Sequence, residues 1–162
     1  MVGKNLVRAV VAAVIALAGV TIPLAGTAFA DPAVKIVNRA FDQCLDADTG
    51  TLDANGTKVQ LWDCHDGDNQ WWHYDRDTGT LRNDESGRCL DVDLADHRIQ
   101  LWDCHGGDNQ RWRDDPTGLA LESDALDSCL DVAHDSLRQN GAEIQVQECT
   151  DAPSQQWSFI YD

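Results

Sequence analysis

Three segments alternate apolar and polar residues at a period of two: Val59-Gln60-Leu61-Trp62, Ile99-Gln100-Leu101-Trp102 and Ile144-Gln145-Val146-Gln147. That period places successive side chains on opposite faces of a strand. No helical stripe accompanies them. Between the apolar runs stand Asn55-Gly56, Thr78-Gly79, Ser86-Gly87, Thr117-Gly118 and Asn140-Gly141, dipeptides whose glycine tolerates the backbone angles of tight turns. Short strands punctuated in this way predict an all-β meander.

The strands belong to a repeating unit. Cys-Leu-Asp, an apolar-Gln pair, a second Cys and then Gln-x-Trp occur in that order three times, beginning at Cys44, Cys89 and Cys129. The starts are 45 and 40 residues apart, so one supersecondary unit of about 40 residues has been used three times. Four strands per unit would make twelve.

The N-terminus follows a different pattern. Lys4 and Arg8 precede an apolar run from Ala9 to Leu24 that ends in Ala28-Phe29-Ala30, the composition of a secretory signal peptide over residues 1–30. A membrane anchor is the competing reading, but Gly19 and Pro23 interrupt the run and small residues occupy the cleavage positions. No later stretch is long enough to span a bilayer. Cleavage after Ala30 would leave residues 31–162, a length suited to one domain with its own core. Losing the two basic leader residues would take the net charge from −16 to −18, which argues against nucleic acid and anionic membranes as partners.

All six cysteines fall after the leader, two per repeat. In an exported chain an even count reads as disulfides. A threefold repeat favours Cys44–Cys64, Cys89–Cys104 and Cys129–Cys149, because equivalent positions then have equivalent partners. Zinc is the alternative, and the close Cys-x-x-Cys pairs of a zinc site are missing.

These residues carry a family likeness. Cys44-Leu45-Asp46, Cys89-Leu90-Asp91-Val92 and Cys129-Leu130-Asp131-Val132, followed by Gln70-Trp71-Trp72, Gln110-Arg111-Trp112 and Gln155-Gln156-Trp157, resemble the ricin-type lectin domain. That domain is a β-trefoil, shared with the family 13 carbohydrate-binding modules of secreted bacterial glycosidases. The likeness runs through the whole of residues 31–162. It implies a six-stranded barrel capped by three hairpins, with repeats of roughly 34–78, 79–118 and 119–162, and one shallow sugar site in each.

Sugar chemistry agrees with that implication. A sugar offers hydroxyls at its edge and C–H groups on its face; carboxylates and amides answer the first, an indole the second. By resemblance, Asp46 would accept hydroxyl protons, Trp62 would stack on the ring, and Gln60, His65 and Asn69 would complete the hydrogen bonds. The second repeat matches with Asp91, Gln100, Trp102, His105 and Asn109. The third keeps Asp131 and Gln145, but Gln147, Thr150 and Ser154 replace the aromatic, the histidine and the asparagine. It reads as silent, leaving two working sites. The second repeat is five residues shorter between its cysteines, so its rim should be lower and its affinity weaker.

Plainer readings compete at each position. Trp72, Trp112 and Trp157 persist in the degraded third unit and read as core. Trp62 and Trp102 could turn inward, although Leu61 and Leu101 fill the opposite face and favour an outward platform. Asp46, Asp91 and Asp131 could be strand-end turn formers. Single histidines beside disulfides are poor metal ligands. The repeated Asp-x-Asp-Thr-Gly-Thr-Leu of Asp46 to Leu52 and Asp75 to Leu81 suggests calcium, but the EF-hand spacing fails and solvated turns account better for most of these acids.

An enzyme is the rival class, and the chain has no privileged carboxylate pair, no Gly-x-Ser-x-Gly elbow, no His-Glu-x-x-His and no phosphate loop. The reading is therefore a secreted, non-catalytic lectin module for galactose- or xylose-type sugars on polysaccharide or glycoconjugate. It needs no cofactor or metal and acts as a monomer. The alternatives are a trefoil that binds or inhibits another protein, and an accessory binding subunit of a secreted glycoside hydrolase.

Overall fold

The computed structural model describes residues 32–115, 117–134 and 139–161; the leader read from residues 1–30 lies outside them. Among the described residues there are twelve strands and no α-helix. The first third of the meander holds β1 (Val34–Asn38), β2 (Gln43–Ala47), β3 (Thr57–Asp63) and β4 (Trp71–Asp75). The second holds β5 (Thr80–Asn83), β6 (Cys89–Val92), β7 (Ile99–Trp102) and β8 (Trp112–Asp114). The last holds β9 (Leu121–Ser123), β10 (Ser128–Val132), β11 (Ala142–Gln147) and β12 (Trp157–Tyr161). Each alternating segment singled out in the sequence lies in β3, β7 or β11.

The outer strands of the three units close a barrel. β1 pairs antiparallel with β12 and β4, β4 with β5, and β8 with β9. Main-chain bonds from Trp112 N to Gly79 O (2.8 Å) and from Trp157 N to Leu119 O (2.7 Å) close the two remaining seams. The inner strands form hairpins β2–β3, β6–β7 and β10–β11. They meet over one end of the barrel, where β3 pairs with β7 and β11 and an Arg98–Gln145 bridge completes the triangle. This is a β-trefoil.

The turn residues do what their chemistry requires. The glycines of the five turn dipeptides have φ between +67° and +88°, the region a side chain disfavours. Gly79 is doubly constrained, because a Cβ there would lie 3.0 Å from the carbonyl oxygen of Trp112 at the barrel seam.

The core runs through barrel and cap together, with Leu45, Leu61, Leu90, Leu101 and Leu130 fully buried beside Trp72, Trp112 and Trp157. Each indole N–H must find an acceptor once buried. Trp72 donates to Leu45 O (3.1 Å), Trp112 to Leu90 O (3.1 Å) and Trp157 to Leu130 O (3.0 Å). The three Gln-x-Trp tryptophans are thus core residues that tie each cap hairpin to the barrel. Tyr74 stacks on Phe159 and donates to Trp112 O (3.0 Å); burial, with Asp114 nearby, pushes its hydroxyl pKa up to about 12. No helix among the described residues is long and apolar enough to cross a membrane.

The disulfides are Cys44–Cys64, Cys89–Cys104 and Cys129–Cys149, one in each unit. They span 20, 15 and 20 residues, and the loop-entropy model values such a crosslink at roughly 3 kcal/mol. A domain of this size is stable by only about 5–15 kcal/mol. Urea unfolding with and without reductant should therefore show reduction removing most of the stability. Digestion without reductant should give only the three within-repeat peptide pairs, and a cross-repeat pair would contradict this architecture.

Candidate functional site

Cross-strand pairing builds the first candidate site. In the β2–β3 hairpin Cys44 lies opposite Trp62 and Asp46 opposite Gln60. Leu45 and Leu61 turn into the core, so Trp62 faces out with 36% of its surface exposed. The short 3-10 turn Asp68–Gln70 then carries Asn69 and Gln70 back over the end of β2. Asp46, Gln60, Trp62, His65 and Asn69 come together in one cleft of about 460 Å³, with Asp48, Thr49 and Lys58 on its wall.

At its floor is a carboxylate held by amides. Asp46 is 3% exposed. Its Oδ1 accepts from Gln60 Nε2 (3.0 Å), and its Oδ2 from Asn69 Nδ2 (2.8 Å) and Gln70 Nε2 (2.8 Å). A carboxylate has about four lone-pair sites, so room is left for roughly one further donor rather than the two hydroxyls expected of a free aspartate. Asn69 spends its other N–H on Ala47 O (2.9 Å) and keeps only its carbonyl oxygen for a ligand.

The His65 ring has a defined tautomer. Nδ1 accepts from Gly67 N (3.0 Å), so the ring proton of the neutral imidazole sits on Nε2, 3.5 Å from Asp46 Oδ2. Donor and acceptor thus alternate around the cleft. Gly67 has no room for a side chain: a Cβ there would lie 2.7 Å from both His65 Cε1 and Asn69 Oδ1.

The second repeat reproduces this arrangement. Asp91 is 2% exposed and accepts from Gln100 (3.0 Å), Asn109 (2.9 Å) and Gln110 (2.9 Å). His105 Nδ1 accepts from Gly107 N (3.1 Å), with Nε2 3.6 Å from Asp91. Trp102 is 38% exposed. The cleft is smaller, about 220 Å³, and the shortened loop lines it with Asp93 and the exposed Leu94.

The third repeat is different. Asp131 is buried, but its Oδ2 accepts from Ser154 Oγ (3.2 Å), and Gln155 Nε2 donates to Glu148 O (3.0 Å). Gln147 occupies the outward position of the tryptophans, opposite Cys129. Residues 135–138 lie outside the described residues.

Two readings of the acids need correction. Asp46, Asp91 and Asp131 are buried acceptors of side-chain donors, not strand-end turn formers. The two Asp-x-Asp-Thr-Gly-Thr-Leu segments are also unlike each other. Asp75 opens a turn by accepting from Asp77 N (3.0 Å) and Thr78 N (3.1 Å); in the first segment that part falls to Asp48, which accepts from Gly50 N (3.2 Å). Gln70 and Gln110 were missed as site residues, although a glutamine kept in every Gln-x-Trp was the available signal. Asp48, Lys58 and Leu94 carried no signal, since loop residues of this kind are common on any surface. Among the described residues no group of three His, Cys, Asp or Glu side chains is placed to hold a metal.

The family model for the ricin-type beta-trefoil lectin domain matches residues 32–157. No curated protein matches the chain. Among solved structures, the designed 3-fold symmetric protein ThreeFoil is 28% identical at a TM-score of 0.72, over 80% of this chain and 99% of its own. A non-toxic homologue of type II RIPs from bitter gourd, Momordica charantia, solved with α-methyl-D-galactoside, is 26% identical at 0.66, over 81% of this chain and 49% of its own. The C-half of an earthworm R-type lectin, solved with GalNAc, is 19% identical at 0.68, over 81% and 99%; that likeness is one of fold.

The crowding at Gly67 gives a local test. Gly67→Ala should displace His65 and Asn69 and leave the core intact. In NMR spectra the His65 ring and Asn69 amide signals should move while the Trp72 indole N–H stays in place. Unmoved His65 and Asn69 signals would show that the cleft is looser than its geometry.

Proposed function

Because the chain belongs to the ricin-type beta-trefoil lectin domain family, we propose that it is a secreted, non-catalytic module that binds galactose- or xylose-type sugars through the clefts of its first two repeats. One observation carries this reading: in both clefts a buried carboxylate, fixed by three amide donors, lies beside an exposed tryptophan and a histidine with its proton on Nε2. One ligand hydroxyl can donate to the remaining lone pair of Asp46 or Asp91 and a second to the Asn69 or Asn109 carbonyl oxygen. The histidine donates back to a ligand oxygen, and the indole covers the C–H face. This alternation suits a vicinal diol rather than an anion, in keeping with the acidic composition. The galactoside in the bitter gourd protein supports the galactose-type assignment.

The third repeat is the silent one. Gln147 offers no aromatic face, and its buried aspartate is served by a serine. The second cleft, smaller and edged by Leu94, is the weaker of the working pair. Catalysis is not proposed, because each buried aspartate already accepts from three amides and is fixed as a hydrogen-bond acceptor. The three disulfides and the leader composition support an extracellular setting, and a neutral polysaccharide or glycoconjugate suits a chain of this charge.

A sugar stacked on one indole and held by a few hydrogen bonds should bind at about 0.1–1 mM, roughly −4 to −5.5 kcal/mol. A polymer that reaches both clefts gains an intramolecular second contact, worth about 10² or more in avidity. Calorimetry with monosaccharide and with xylan or arabinogalactan should show Trp62→Ala or Trp102→Ala each removing one monosaccharide site, yet weakening polymer binding far more than twofold. Asp46→Ala should abolish the first site, since a hydrogen bond to a charged group is worth about 1.5–3 kcal/mol, and Asp131→Ala should leave binding unchanged. Wild-type polymer binding by the double tryptophan variant would overturn the assignment.

A further inference from the structure

We infer that each working cleft is positioned by the hairpin tip of a neighbouring repeat, with Asn140 of the third repeat serving the first cleft and Asn55 of the first repeat serving the second. The inference rests on the reading of these clefts as sugar sites. Asn140 Nδ2 donates to Asp63 Oδ2 (3.0 Å), and its Oδ1 accepts from Asp63 N (2.8 Å). Those two bonds grip main chain and side chain of the residue immediately after the Trp62 platform. Gln43 binds both partners, donating to Asn140 Oδ1 (2.9 Å) and Asp63 Oδ1 (3.0 Å). Gly141 then donates to Leu61 O (2.9 Å), and a Cβ on it would lie 3.7 Å from the Trp62 ring and 3.6 Å from Gln60 Oε1. The tip therefore lies directly against the platform.

The same clamp joins the first repeat to the second. Asn55 Nδ2 donates to Asp103 Oδ2 (3.0 Å) and its Oδ1 accepts from Asp103 N (2.8 Å), beside Trp102. Arg88, at the position of Gln43, reaches Asn55 Oδ1 (3.2 Å) and Asp103 Oδ1 (3.2 Å). Gly56 donates to Leu101 O (2.9 Å) and faces Gln100 Oε1. The third interface supplies an internal control. The shortened hairpin of the second repeat, Asp93-Leu94-Ala95-Asp96-His97-Arg98, has no Asn-Gly to offer the third. The repeat denied this tip is the one whose cleft has lost its aromatic, its histidine and its asparagine.

An exposed indole gains affinity when its backbone is held before the ligand arrives, since ordering it on binding costs free energy. Asn140 and Asn55 are positioning residues in this sense, since neither lines the cleft it serves. The test uses single-site parents: Trp102→Ala keeps the first cleft and Trp62→Ala the second. Both are titrated with methyl α-D-galactoside and methyl β-D-xyloside. In the Trp102→Ala parent, Asn140→Ala should weaken binding about three- to tenfold and Asn55→Ala should not; in the Trp62→Ala parent the order should reverse.

Exchanging the partners separates positioning from a general loss of structure. Asn140→Asp alone sets two carboxylates against each other, whereas Asn140→Asp with Asp63→Asn restores donor and acceptor and should recover the affinity. Equal losses in both parents, or no recovery on exchange, would overturn the clamp. Indole N–H signals in ligand-free protein distinguish this failure from failure of the sugar reading. If neither parent differs from wild type in sugar binding, the function proposed above falls. The clamp itself stands if Asn140→Ala shifts the Trp62 signal and not that of Trp102, and falls if it shifts neither.

Discussion

The constraint on which the structure depends is the need of a buried main-chain carbonyl for a donor. Where the hairpin strands β2, β6 and β10 cross the barrel, Leu45, Leu90 and Leu130 each present a carbonyl that the core encloses, and an indole N–H satisfies each one. A buried acceptor left without a partner costs about 1–3 kcal/mol, so the tryptophans act as fasteners as well as packing volume. The Gln-x-Trp motif makes this grip double in the first two repeats. Trp72 holds Leu45 while Gln70, two positions earlier and also buried, holds the neighbouring Asp46 at the floor of the cleft. Cys-Leu-Asp and Gln-x-Trp are thus two halves of one clasp, which explains why they recur together. In the third repeat the core half persists, through Trp157 and Leu130, while Asp131 takes a serine donor instead.

Most of the fold was legible because the information is local. Alternation marks β3, β7 and β11; Gly after Asn, Thr or Ser marks turns whose φ is positive; equal cysteine placement marks the three pairings. The outward set of Trp62 and Trp102 followed from the leucines beside them, whose burial leaves the indole no other side. Legibility ended where contacts leave the repeat or where a residue serves two roles. Nothing local shows that Asn140 reaches Asp63, 77 positions away, since Asn-Gly is fully accounted for as a turn. That three amides already occupy Asp46 was hidden for a similar reason: its partners Asn69 and Gln70 lie more than twenty residues downstream.

The departures from threefold symmetry concern the hairpin tips and loops rather than the barrel. Shortening the second hairpin changes two clefts at once, edging its own with Leu94 in place of Thr49 and offering the third no Asn-Gly tip. The charged network is also unequal. On the β8–β9 side Arg113 is shared among Glu122, Asp124 and Asp127, while at the equivalent place on β4 His73 meets Asp84 at 2.8 Å. An exposed ion pair contributes little to stability, so such positions are free to diverge while the clasp is not.

The seam between β1 and β12 has a temporal consequence. Val34 pairs with Tyr161 and Asn38 with Trp157, which means the barrel closes on the two ends of the described chain. A ribosome delivers the first strand long before its partner, and pairings so far apart in sequence carry the largest loop-closure cost and form slowly. Each disulfide, by contrast, links cysteines no more than 20 residues apart, so each crosslink closes a short loop within its own repeat. The crosslinks shorten the effective chain that the final seam must bring together. The separation of paired residues thus ranks the closures by entropic cost, with hairpins and their crosslinks low and the β1–β12 seam highest.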